Sequence, residues 1–225
     1  ILNFSRYKSF ILALYNYCFF AGTKLGFAGA GGVLVTTTNP IITMALMAFI
    51  NKRKLTIDET IGIFVGLIGG YFIINVWNLG FEQILQSGNI YFILCATIWA
   101  ILTIFISKSV DKSESINFTF WMYVGTAIIM IPFVQFENVM VLATVDSKFW
   151  IHFFIVSVGA LTFGTTTYFV ASQQLGPAKT SSFIFTVPIS AMLNSMILLN
   201  EVLTITTLIG CCLTIFALII INKSS

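Results

Sequence analysis

Charge is what this sequence has least of. Lys, Arg, Asp and Glu make up 8% of its 225 residues, against about 25% in soluble globular domains. So few charged side chains cannot cover the surface of a water-soluble domain of this size, and the solvent for most of the chain has to be lipid. The 11 Lys and Arg form no run long enough for a nucleic-acid footprint, and a nucleic-acid partner is not expected. Histidine is almost missing: His152 stands alone beside Trp150, with no His-Glu-x-x-His or Gly-x-Ser-x-Gly in the chain. Neither a metal centre nor a nucleophile with its base is in view, so an enzyme is not expected and no cofactor or metal is expected. Cys18, Cys95, Cys211 and Cys212 lie in apolar runs without a Cys-x-x-Cys spacing and read as small packing residues. No Asp or Glu falls in the middle of an apolar run, since Glu59, Glu137 and Glu201 stand at run ends. A proton relay built from these residues is therefore not expected, and any coupling carboxylate would sit in helices not in this sequence.

What the chain has instead is apolar length. Crossing the hydrocarbon takes about 20 apolar residues, and eight runs fit that ruler: 9–25, 30–50, 59–76, 90–107, 117–136, 150–172, 180–199 and 203–222. Turn or charge signals separate them, among them "NKRKLTIDE", "SKSVDKSES" and "QQLGPAK". With the N-terminus cytoplasmic, the inner side holds Arg6, Lys8, Lys52, Arg53, Lys54, Lys108, Lys112, Lys179 and Lys223, and the outer side only Lys24 and Lys148. That bias places both termini in the cytoplasm of a multi-pass protein of the cell inner (plasma) membrane, with Trp77 and Trp150 in the outer aromatic belt. The basic-then-apolar start lacks an A-x-A cleavage site and reads as a helix, not a signal peptide.

The chain also repeats itself. Sliding it by 148 lays Pro40 on Pro188, and between 30–73 and 178–221 the residues Ala30, Thr38, Pro40, Ile41, Met44, Leu55, Thr56, Ile57, Ile61, Gly62 and Ile73 recur. The second and third runs fall on the seventh and eighth, a shift of five spans. An odd shift turns the second copy upside down across the membrane, which is the plan of many secondary transporters. On that arithmetic 88–225 is a complete five-helix repeat, and 1–87 holds the last three helices of the other. The expected fold is an all-α integral membrane protein, with eight helices visible of a ten-helix, five-plus-five inverted repeat.

The segments "VPISAMLNSMILLNEVLTITTLIG" and "NPIITMALMAFINKRKLTIDETIG", with "CATIWAILTIFISKS" and "GALTFGTTTYFVASQQLGPAKTSS", resemble in order and spacing the EamA-type members of the drug/metabolite transporter superfamily. The resemblance implies two inverted five-helix repeats and a central cavity, and it carries transport of amino acids or other small metabolites. Two departures stand out: Lys52 or Arg53 replaces the usual Glu ending the first-repeat helix, and the first two helices are not in this sequence.

Polar side chains inside a span are the default functional candidates, because lipid offers them no partner. Thr186, Ser190 and Asn194 step by four along the seventh run, following Ser182, and Thr36, Asn39 and Thr43 share a face of the second. Asn16, Tyr17, Trp99, Thr165 and Tyr168 join them on the helices that line the cavity in the resembling family. Together these eleven residues are the expected substrate contacts. Packing is the competing reading for the Ser and Thr rows and for Trp99. Pro40 and Pro188 are expected to kink their helices and free carbonyls towards a cavity, shape alone being the alternative. Gly62, Gly66, Gly69 and Gly70 offer a close-packing face, through which a second copy of the chain is a further expected partner beside lipid and substrate. The functional expectation is a secondary transporter working by alternating access, most plausibly outward. The competing class is a non-transporting membrane protein, a receptor or assembly partner, that keeps the fold.

Overall fold

The computed structural model describes residues 2–25, 28–73, 88, 90–109, 115–134, 142, 144–199 and 204–223. Trp77, residue 87, Lys112, Glu137 and Glu201 lie outside the described residues. Every described element is helical. The helices are α1 (Leu2–Leu25), α2 (Ala28–Ile50), α3 (Ile57–Ile73), α4 (Ile90–Ser109) and α5 (Ser115–Met130), the last ending in a 3-10 turn at Ile131–Phe133. Then come α6 (Ser147–Phe154), a π-helical stretch (Ile155–Gly164) and α7 (Thr165–Leu175). After these follow α8 (Pro177–Ser182), a 3-10 turn (Phe183–Thr186), α9 (Val187–Leu199) and α10 (Ile205–Lys223). Apart from Val134 and Thr204, each of the eight expected spans is helical over its described part, although α1 starts at Leu2 and not at residue 9. By length and composition four stretches suffice to cross a bilayer among the described residues: Ile90–Lys108, Ile116–Phe133, Ser147–Leu175 and Ile205–Lys223.

Local chemistry sets the ends. Asp146 caps α6 by accepting from the Phe149 N–H at 2.9 Å. Gly176, with φ of 86°, ends α7 in a conformation few other residues adopt, and Pro177 opens α8, where its missing N–H has no helical partner to lose. At the start of α3 the Thr56 hydroxyl accepts from the Glu59 N–H at 3.1 Å while Glu59 accepts from the Thr56 N–H at 2.9 Å. The repeat-related Thr204 accepts from the Thr207 N–H at 3.3 Å at the start of α10. The recurring Leu-Thr-Ile junction is thus a recurring helix cap.

The two copies meet where α3 packs on α10. The space a Cβ at Gly62 would take is held by the Ile221 side chain and the Ala217 carbonyl, and at Gly210 by Ile73 and the Gly69 carbonyl. Adding 148 to Gly62, Gly69 and Ile73 gives Gly210, Ala217 and Ile221, so each contact has its mirror. Reciprocal contacts of this kind are what a two-fold operator produces. The glycine face of α3, expected to serve close packing, does so within the chain: Gly62, Gly66, Gly69 and Gly70 are buried.

Two buried clusters flank this seam. Met44, Ile63, Phe185 and Ile221 join α2, α3 and α10 to the 3-10 turn before α9. Leu12, Leu102, Ile106, Phe118, Met122 and Phe169 join α1, α4, α5 and α7. In the second group α1 and α5 run side by side, pinned by Ser9 donating to the Met122 carbonyl at 3.0 Å and Thr126 donating to that of Ser9 at 3.2 Å. Lys8, expected among the solvated inner charges, is 3% exposed, with its ammonium 4.5 Å from the centre of the Phe118 ring. The aromatic face substitutes for water around the cation. The repeat-related prolines are handled differently, for Pro40 stands inside the unbroken α2 whereas Pro188 begins α9 directly after a 3-10 turn. Proline in a first turn removes no helical hydrogen bond.

Candidate functional site

Trp99 organises the middle of the α1–α4–α5–α7 group. It sits on α4 with three rings around it: Tyr15 at 4.9 Å, Phe169 at 5.5 Å and Tyr168 at 5.6 Å between centroids. One turn further along α4, Thr103 donates to the Trp99 carbonyl at 2.8 Å and lies 3.4 Å from the Tyr168 hydroxyl. Tyr123 on α5 packs against the same cluster and donates to the Leu161 carbonyl at 2.8 Å. Thr165, at the start of α7, is buried beside Tyr123.

A polar row on α2 faces α4 a turn away. Asn39 is fully buried and its amide nitrogen donates to the Ala96 carbonyl at 3.0 Å, while Thr43, also fully buried, donates to the Asn39 carbonyl at 2.8 Å. Thr36 is buried on the same face. Among the described residues the Asn39 amide oxygen has no hydrogen-bond partner. A buried acceptor left open in this way costs about 1–3 kcal/mol unless something binds it. This row and the Trp99 cluster form one seam along α4, polar by amide and hydroxyl and with no carboxylate or ammonium among the groups just named.

The α9 row is separate and open. Thr186 donates to the Phe183 carbonyl at 2.7 Å, Ser190 to that of Thr186 at 3.2 Å and Asn194 to that of Ser190 at 2.8 Å. Each side chain satisfies its donor on its own helix, and Ser190 and Asn194 stand on an exposed side of it. The sequence-expected residues therefore divide: Thr36, Asn39, Thr43, Trp99, Thr165 and Tyr168 gather along α4 and α7, and Thr186, Ser190 and Asn194 line a bare face. Asn16 is half-buried on α1. Tyr17 points elsewhere, into an apolar groove of about 280 Å³ with Phe10, Leu14, Met130 and Phe133. Its place in the seam is taken by Tyr15, two residues back and so on the other side of the helix.

Tyr15, Thr103, Tyr123 and Phe169 are the seam residues that the sequence reading missed. The row Leu12, Tyr15 and Phe19, at spacings of three and four, was a usable signal for Tyr15. Nothing local announces that Tyr123 reaches Leu161.

Comparison with known proteins gives this architecture a lineage. The EamA-like transporter family model matches residues 86–223. This chain belongs to the EamA-like transporter family. The EamA match covers α4 through α10, and so includes Trp99, Tyr123, Tyr168 and the whole α9 row. The uncharacterized transporter YoaV of Bacillus subtilis (strain 168) is 25% identical over 194 residues, which are 82% of this chain and 64% of YoaV. The EamA chain in hand thus spans a little under two thirds of that relative. A solved crystal structure of another protein superposes with a TM-score of 0.72 at 17% identity, covering 95% of this chain and 73% of that one. At such identity the likeness is one of fold: an all-α, multi-pass membrane protein.

Proposed function

We propose that this protein is a secondary transporter that carries a small polar or amphipathic metabolite, an amino acid or similar compound, outward across the inner (plasma) membrane by alternating access. The family match over residues 86–223 carries this reading. The reciprocal α3–α10 contacts support it, because two inverted halves that meet on one axis can rock about it and open to either side in turn. The substrate site on this reading lies between the Trp99 seam and the Thr186–Asn194 row, from which neutral hydrogen bonds and aromatic faces select it. No carboxylate lies among the seam and row residues named above, and on this reading transport is facilitated or weakly coupled, any coupling carboxylate falling outside this sequence.

The five-plus-five arrangement belongs to the same proposal, with 88–225 as one complete repeat and 1–87 as the last three helices of the other. Support comes from what is bare. Helix α4 packs on both α1 and α2, and α5 on α1. In the second repeat α6 with its π stretch and α7 correspond to α1, and α9 to α2. There Ile151, Phe153, Phe154, Ile155, Phe163 and Ile197 are all more than half exposed. Two further helices, standing to α6–α7 and α9 as α4 and α5 stand to α1 and α2, fit that face. Both ends of the described chain are cytoplasmic in this orientation.

Reconstitution into liposomes tests the reading. Saturable efflux of one member of a panel of labelled amino acids and their derivatives is expected, with the flux lost in Asn194→Leu and Thr186→Leu variants that insert and elute normally. A folded protein bearing its full first repeat that moves none of the panel would favour the non-transporting receptor or assembly partner.

A further inference from the structure

Between α6 and α7 the backbone leaves the α-helical ladder for ten residues, Ile155–Gly164. π-helix normally comes as a single turn and clusters at functional sites, so a stretch of this length needs something to hold it. Packing among the described residues does not, because Ile155, Val156, Val158, Leu161 and Phe163 are all exposed there and a Cβ at Gly159 would meet nothing within 4 Å. Two side-chain hydrogen bonds do. Thr162 donates to the carbonyl of Ser157, five residues back, at 2.8 Å, following the wide turn itself. Tyr123, from α5, donates to the Leu161 carbonyl at 2.8 Å.

The second bond ties the segment to the seam. Tyr123 belongs to the cluster of Trp99 and Tyr168, and its helix is fixed to α1 through Ser9 and Thr126. A phenol has a single proton to donate. A ligand in the seam that presents a carbonyl or carboxylate oxygen to Tyr123 must take that proton from Leu161.

We propose that Ile155–Gly164 is a latch of the transport cycle, held in its wide-turn form by Tyr123 and released to α-helix when an acceptor oxygen of the substrate captures the Tyr123 hydroxyl. An α turn holds fewer residues than a π turn, so release lengthens the segment and rotates α6 about its axis relative to α4. Occupancy of the seam is thereby read out as a movement at the far end of α6. The inference rests on the carrier reading, deepens it by naming a substrate with an acceptor oxygen, and makes Tyr123 a positioning residue.

Spin labels at Ile93→Cys on α4 and Lys148→Cys on α6, in a Cys212→Ser background in lipid nanodiscs, measure that movement without any ligand. Tyr123→Phe removes only the hydroxyl and is expected to change the ratio of the distance populations at least threefold. Thr162→Val is expected to change it in the same direction, as is Gly159→Ala, whose methyl has free space and favours α-helix. Thr97→Val deletes a hydroxyl that bonds only along α4, to the Ile93 carbonyl, and is expected to change nothing. Superimposable distributions for wild type, Tyr123→Phe and Thr162→Val would overturn the latch, as would an equal response to Thr97→Val. Absence of flux in liposomes would instead overturn the carrier reading, so the two failures are distinguishable.

Discussion

Gly210→Ala is expected to loosen the α3–α10 seam, whereas Gly62→Ala, at the matching place in the other repeat, is expected to leave it nearly intact. A Cβ at Gly210 would lie 2.7 Å from the Gly69 carbonyl oxygen and 2.8 Å from the Ile73 nitrogen. Both are backbone atoms of a helix, and only a separation of the two axes relieves them. At Gly62 the obstruction is the Ile221 side chain, with the Ala217 carbonyl 3.2 Å away. An isoleucine can turn off its rotamer at about 0.5–1.5 kcal/mol, while overpacking against fixed atoms costs about 1–3 kcal/mol. Alanine returns about 1 kcal/mol of helix propensity at either site. The net loss is then about 1–2 kcal/mol for Gly210→Ala, taking the upper part of the overpacking range, and near zero for Gly62→Ala. For a chain of this size, each kcal/mol moves an unfolding midpoint by about 2–4 °C. Heating detergent-purified variants and following the monodisperse fraction by size exclusion should place Gly210→Ala several degrees below wild type and Gly62→Ala close to it. Equal midpoints, or the reverse order, would refute the claim that backbone contact fixes the seam.

Three further outcomes follow. Asn39→Val is expected to lower the same midpoint only slightly, since it removes a bond worth about 0.6–1.7 kcal/mol within a membrane along with an open acceptor; on the site reading it should nonetheless abolish saturable flux. Glu59, buried at the start of α3, accepts from both terminal nitrogens of Arg53 at 2.6 and 2.7 Å; removing the partner of a buried charge costs more than removing both, so Arg53→Leu should lower the same midpoint by several degrees and the double variant Arg53→Leu with Glu59→Leu by less. Flux in liposomes should survive a protonophore, and strict dependence on the proton gradient would sink the reading that no carboxylate is coupled to transport.

The helical plan was legible because it rests on composition and periodicity, which a sequence displays directly. The inverted repeat was legible at Pro40, Gly62 and the Leu-Thr-Ile junction, and the structure returns it as mirrored contacts at Gly62 and Gly210. Tertiary contact is where legibility ended. Gly62, Gly69 and Gly210 announced close packing, but a glycine face does not say whether its partner is the same chain or another. Tyr17 was preferred to Tyr15 although a residue offset of two on a helix exchanges inside for outside. The π stretch left no mark in the sequence, since Gly159 and Gly164 are compatible with any helix in lipid. One of the two side-chain bonds to its carbonyls comes from a hydroxyl 38 residues away.

On the carrier reading the two seams divide the work between them. Along α3 and α10 glycines meet backbone atoms and isoleucine side chains in mirrored pairs, so the axis they share is the natural pivot. Along α4 the contacts are lateral: each ring pair around Trp99 is worth about 0.5–1.5 kcal/mol beyond its buried area, and the Tyr123 bond about as much. Breaking two or three of them sets a gap of a few kcal/mol between two arrangements, small enough that both are populated and a ligand with differential affinity can invert them. Inverting a 1:99 population to 99:1 takes about 5.5 kcal/mol; a metabolite that satisfies the open Asn39 oxygen in only one arrangement supplies about 1–3 kcal/mol of it, and each aromatic pair it makes along α4 about 0.5–1.5 kcal/mol. On the carrier reading, neutral hydrogen bonds and aromatic faces along α4 thus supply a large part of the bias that exchange between two states needs.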